Sequence, residues 1–158
     1  MLMKIEIGQV APGFSLYDSG KQKVAPLANQ EKTVLLLFFP LAFTSTCTKE
    51  LCSVRDHIAD YNNLDALVYG ISVDSLYTLA KFKEAQELNF PLLSDFNREV
   101  SEAYGCLYER FGFDMRGVSK RAAFVIGKKG RIVYAEVLEE ASKIPDFEEI
   151  MHHIALSV

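Results

Sequence analysis

Long hydrophobic runs are missing from this sequence. No stretch approaches the roughly 18 apolar residues that a membrane-spanning helix requires. The opening MLMKIEIG has neither an apolar signal-peptide core nor a small-residue cleavage site, which points to a cytoplasmic protein. Positive charge is short as well: 17 Lys and Arg stand against 21 Asp and Glu, a formal net charge of −4. The basic cluster Lys128, Lys129 and Arg131 sits beside two glycines and reads as a solvated turn, so nucleic acid is excluded as a partner. Cysteine is scarce. Three in 158 residues, none in a CxxC pair, do not make a disulfide framework; in a reducing compartment they are chemical or incidental. Repeats, linkers and low-complexity stretches are absent. The expectation is one domain spanning residues 1–158, large enough for a real core.

What is present is concentrated in VLLLFFPLAFTSTCTKELCSVR, residues 34–55. Val34 to Phe39 is an apolar run rich in strand formers and short enough for one buried strand. Pro40 ends it, because proline cannot donate to a sheet ladder. Thr44, Ser45, Thr46 and Thr48 are small hydroxyl residues suited to a helix N-terminus. Beyond them Leu51, Val54, Ile58 and Tyr61 recur at helical spacing, predicting one helix to about Asn62. Cys47 continues that stripe into the first turn. There it lies over the core, beside unpaired N–H groups and the positive end of the helix dipole, and both favour a thiolate.

The rest of the chain alternates. Residues 1–25 suggest short strands around the turns Ala11-Pro12-Gly13 and Asp18-Ser19-Gly20. Leu67–Val73 reads as a second buried strand, followed by a helix from about Ser75 to Leu88 with an apolar face of Leu76, Leu79, Ala80, Ala85 and Leu88. Phe90–Leu93 suggests a short strand, and Asn97–Tyr104 a short helix stopped by Gly105. Ala122–Ile126 and Ile132–Val137 flank GKKG, a hairpin signal. Pro145 opens a last helix with Phe147, Ile150, Met151 and Ile154 as its buried stripe. Strands alternating with helices require parallel pairs, and the closing hairpin adds antiparallel ones. The predicted class is α/β: a mixed central sheet with helices on both faces and an N-terminal β-hairpin. A redox cysteine where a strand enters a helix suggests a thioredoxin-like fold.

Cys52 is the nearest thiol to Cys47, five positions on. In an intact helix their Cα atoms lie roughly 8.6 Å apart, beyond the about 7 Å that a disulfide tolerates. A bond between them requires the helix tip to unwind. Thr44 is a hydroxyl donor near the cysteine, and Glu50 is placed to orient a cation, such as an arginine from across the fold. Thiolate, hydroxyl and guanidinium together suit attack on an O–O bond, where the leaving oxygen gains negative charge. The plainer readings stand beside these: Cys47 and Cys106 as packing residues, Cys52 as a half-buried structural thiol, Thr44 as a helix cap, Glu50 as a first-turn acid and Arg121 as a surface strand residue. His57 shares no face with Cys47, and Cys47, Cys52 and His57 diverge too far for a zinc site.

P40-L-A-F-T44-S-T-C47 resembles the PxxxTxxC signature of the peroxiredoxins. Glu50 fits the same pattern, R121-A-A-F-V-I-G-K-K-G resembles the strand that carries the family's arginine, and G8-Q-V-A-P-G-F-S-L-Y-D and P91-L-L-S-D-F resemble further family segments. The resemblance covers nearly the whole chain. It implies a thiol peroxidase with no metal or organic cofactor. Cys47 would be the peroxidatic cysteine, Thr44 and Arg121 would hydrogen-bond the peroxide, Pro40 would shield the sulfur, and Glu50 would orient an arginine. Arg116 competes for the arginine role. FPLAFT, RDH and PLLSDF are most similar to the alkyl hydroperoxide reductase E group, which typically works with one cysteine. C47-T-K-E-L-C52 has instead the spacing of the bacterioferritin-comigratory (Q-type) group, in which Cys52 would resolve the sulfenic acid and a thioredoxin-like dithiol would recycle the disulfide. The partners implied are a hydroperoxide, that dithiol and, as is common in the family, a second copy in a homodimer. Outside this reading stand a thiol–disulfide oxidoreductase, disfavoured by the missing CxxC, and a peroxide sensor that unwinds without fast turnover.

Overall fold

The computed structural model describes residues 4–157; the first three residues of the expected N-terminal strands, and Val158, lie outside them. Seven strands form one sheet in the order β2-β1-β5-β4-β3-β6-β7. At its centre is β3 (Thr33–Phe38), buried along its whole length. It runs parallel to β4 (Ala66–Ser72), which pairs in parallel with β5 (Leu92–Ser94), and antiparallel to β6 (Arg121–Ile126). β7 (Ile132–Leu138) closes the expected hairpin with β6 around residues 127–130, where Gly130 takes φ +80 and its N–H bonds Gly127 O. The N-terminal hairpin is β1 (Leu16–Asp18) with β2 (Lys23–Val24), its turn held by Asp18 Oδ1 accepting from the N–H groups of Gly20 and Gln22.

Side chains of a strand alternate between faces, and β3 splits the core accordingly. Leu35, Leu37 and Phe39 face one layer, with Ala123 and Val125 from β6 and the helices α1 (Ser45–Asp56), α2 (Ile58–Asn63), α3 (Leu76–Gln86) and α5 (Phe147–Leu156). Val34, Leu36 and Phe38 face the other, covered by Val100 and Tyr104 of the α4 region (α4, Glu99–Ala103) and by the N-terminal segment with Phe14 and Leu16. The sheet is mixed and has helices on both faces, four of them on one side.

Two helices differ from expectation. The helix expected to reach Asn62 breaks at His57, which sits at φ −115, ψ 16. The cause is local: the His57 ring Nδ1 donates to Ser53 O at 2.8 Å, the carbonyl that the His57 N–H would use to continue the helix, so that N–H turns to Val54 O. In α3 Leu79 of the expected row is buried, Leu76 and Ala80 are half-buried and Ala85 is exposed, while Phe82, outside that row, is buried; Leu88 is buried after the helix has ended in a left-handed Glu87.

Candidate active site

Because β3 and β6 are antiparallel, the start of β6 lies beside the end of β3, where the chain turns through Pro40 into α1. Arg121, Ala123 and Val125 share one face of β6 by alternation, the face covered by α1. Two residues 74 apart in sequence therefore meet: Arg121 Nη1 lies 3.3 Å from Cys47 Sγ. The same nitrogen donates to Glu50 Oε1 at 2.7 Å, and Nη2 donates to Ala141 O at 2.8 Å. Cys47 and Glu50 are one helical turn apart on α1, so one guanidinium reaches both.

The trio is dry. Cys47 and Arg121 are 1% exposed and Glu50 is 0% exposed. Burial pushes the Glu50 carboxyl up to about 7 against the opposing pull of the Arg121 charge and hydrogen bond. Burial opposes the charge of Arg121, yet the acidic neighbours Glu50 and Cys47 prevail and raise its proton affinity. Above the sulfur is a pocket of about 260 Å³ lined by Pro40, Thr44, Cys47, Phe111, Arg121 and Ala141, among others. Pro40 is buried, and Thr44 is exposed at the mouth.

Thr44 is the N-cap residue of α1, but its side chain does not cap the helix: Oγ1 donates back to Leu41 O at 2.6 Å. Arg116 is exposed and takes no part. Cys52 is half-buried on the far side of α1, its thiol donating to Gln86 Oε1 at 3.5 Å. Cys106 belongs to the opposite core layer, so the sheet separates it from Cys47. Two contributors escaped the sequence reading. The carbonyl of Ala141 is a backbone atom, which no residue type announces. Asp74 Oδ2 accepts from Ala42 N at 2.8 Å and fixes the turn that presents Thr44; its one signal is its place in the polar run that ends β4.

The AhpC/TSA family model matches residues 7–135. The chain belongs to that family. It is 38% identical over 136 residues to alkyl hydroperoxide reductase E of Mycobacterium tuberculosis, covering 84% of this chain and 86% of the relative. It is 37% identical over 133 residues to peroxiredoxin Bcp of Bacillus subtilis, covering 83% and 84%. The crystal structure of peroxidoxin BcpB from M. tuberculosis superposes with a TM-score of 0.85 at 26% identity, covering 96% of this chain and 97% of that one. The molecule is a peroxiredoxin, a thiol-dependent peroxidase on a thioredoxin-like fold. No helix of this peroxiredoxin, among the described residues, is long and apolar enough to cross a membrane.

Proposed function

We propose that this peroxiredoxin reduces hydrogen peroxide and organic hydroperoxides through Cys47, with Cys52 as resolving thiol. The observation that carries the reading is the Arg121 guanidinium set between the Cys47 sulfur and Glu50 at the floor of an open pocket. The thiolate attacks one peroxide oxygen. An S–O bond forms, the O–O bond breaks, and the second oxygen leaves with the electron pair and takes up a proton. Arg121, with Thr44 turned from Leu41 O toward the peroxide, donates to the oxygens as that charge grows; one such donor is worth roughly 3 kcal/mol. Pro40 keeps bulk water off the sulfur, and Glu50 holds Arg121 in place. The Cys52 thiol then displaces water from the Cys47 sulfenic acid to form a disulfide, which a thioredoxin-like dithiol reduces by exchange. Three free thiols suit a reducing compartment, the cytosol. The exposed Phe43 and Phe113 near the site offer contact surface to a second copy in a homodimer.

The test is intact and peptide mass analysis after one equivalent of hydrogen peroxide, with remaining thiols alkylated. The expected product has lost two hydrogens, mapped to a Cys47–Cys52 bridge, and Cys47→Ser abolishes peroxide turnover. One added oxygen on Cys47, with Cys52 still alkylated, makes the protein a one-cysteine enzyme served by an external thiol. Substantial turnover by Cys47→Ser sinks the assignment.

A further inference from the structure

Two acids share one cation at the buried floor of the pocket. Arg121 Nη1 contacts both Cys47 Sγ and Glu50 Oε1, and none of the three side chains is more than 1% exposed. Were both acids ionised, the cluster would carry an excess negative charge with its Glu50 end cut off from the solvent of the pocket, which a buried site resists strongly. The pairing with Arg121 is also incomplete: Nη1 meets Oε1 alone, while Glu50 Oε2 and Arg121 Nε are both buried without a hydrogen-bond partner, so the carboxyl lacks the two-bond clasp that would best hold a charge. An unpartnered buried oxygen is far more costly when charged than when neutral. The other titratable groups near Glu50 add no positive charge. Glu136 on β7 raises its proton affinity further, and Tyr61 on α2 is itself held neutral, pushed up to about 12 chiefly by its own burial.

We propose that the cluster holds one negative charge at a time: Glu50 carries a proton while Cys47 is a thiolate, and releases it when Cys47 is oxidised. The position of Glu50 agrees, since burial pushes its carboxyl up to about 7. Oxidation converts the thiolate to a neutral sulfenic acid and frees the whole Arg121 charge for Glu50, the pull that works against burial there, so the proton on Glu50 is held less tightly. Sulfur loses two electrons to the peroxide, the leaving alkoxide or hydroxide takes one proton from solvent in the pocket, and Glu50 returns one to solvent. Glu50 does not border the pocket, so it acts through Arg121 as a positioning residue rather than on the peroxide. The thiolate state therefore needs no net charge in the core, and the oxidised state keeps Arg121 paired.

The inference rests on Cys47 being the reacting thiol, and the experiment separates the two. Infrared difference spectra are recorded between the reduced enzyme and the enzyme after one equivalent of hydrogen peroxide, on the acid side of neutrality. Unlabelled protein is compared with protein carrying carbon-13 glutamate, and each sample is mapped by mass. The expected result is loss of the C=O band of a protonated carboxyl on oxidation. That band shifts with the label and is missing in Glu50→Gln. Among the described residues Glu50 is the one buried glutamate, so the labelled wild type carries the test even if the variant misfolds. Oxidised Cys47 with no loss of a labelled protonated carboxyl overturns the proposal. Absence of Cys47 oxidation overturns the reading beneath it instead.

Discussion

At the scale of single residues, the site is governed by burial working against charge. Glu50 is the clearest case. Its carboxyl stands at about 7 in the folded protein against an ordinary 4.5. The folded chain thus binds a proton that the unfolded chain has already lost, so the stability that Glu50 contributes is fully present below about pH 4.5 and disappears as pH rises through about 7. The span corresponds to on the order of 3 kcal/mol. Denaturant unfolding of the wild type and of Glu50→Gln across this range should show the difference between them falling by that amount as pH rises. A constant difference means Glu50 is ionised in the fold. The sequence showed that Glu50 fits the motif, but a first-turn acid on the surface looks the same in one dimension. What decides between them is a strand that arrives 71 residues later with Arg121 at its first position.

At the scale of the element, α1 is two helices in one. Its second half is tied to the end of α3 and the loop beyond: Arg55 Nη1 donates to Gln86 O at 2.6 Å, Asn89 Nδ2 donates to Arg55 O at 3.2 Å, and the Cys52 thiol meets Gln86. The first turn has less to hold it. It has no side-chain cap and no acidic residue to meet the dipole, and a missing cap costs about 1 kcal/mol. Arg121 holds this turn through Cys47 Sγ, and in the proposed cycle oxidation changes the sulfur that Arg121 contacts. The Cys47–Cys52 disulfide should therefore form by unwinding the tip toward a stationary Cys52. Hydrogen exchange on the disulfide form should show lost protection at residues 45–49 and retained protection at 53–56, whereas Cys52→Ser oxidised to the sulfenic acid should protect both. Equal exposure of both halves would mean that Cys52 leaves Gln86. The five-residue spacing alone sets the condition that a Cys47–Cys52 bond would require unwinding. Which half moves was not legible there, because the ties come from α3 and its following loop. The break at His57 was hidden for a similar reason: periodicity reports the apolar face, and a ring competing for Ser53 O leaves that face unchanged.

At the scale of the whole molecule, the sheet is a partition. Alternating strands and helices gave the class of fold, and the hairpin around Gly127–Gly130 made the sheet mixed, yet three cysteines on a line carry no information about which layer each occupies. Strand order supplies it: Cys47 packs with Leu35 and Leu37, and Cys106 with Leu36 and Phe38 on the reverse face. Cys106 is fully buried, its Sγ lies 3.9 Å from Ser119 Oγ, and burial pushes its thiol up to about 12. Such a thiol is inert until the core opens. In native buffer an alkylating reagent should label Cys52 quickly and Cys106 only at the rate of global unfolding, with the denaturant dependence of the full transition. Cys106→Ala should lower stability by about 1 kcal/mol through the small void it leaves, with peroxide turnover unchanged. Labelling of Cys106 at the rate of Cys52, or a Cys47–Cys106 bridge after peroxide, would require the two layers to communicate through a central sheet whose core strands β3 and β6 are buried from end to end. The partition thereby makes one cysteine a reporter of the whole fold and keeps it apart from the two assigned to the proposed cycle.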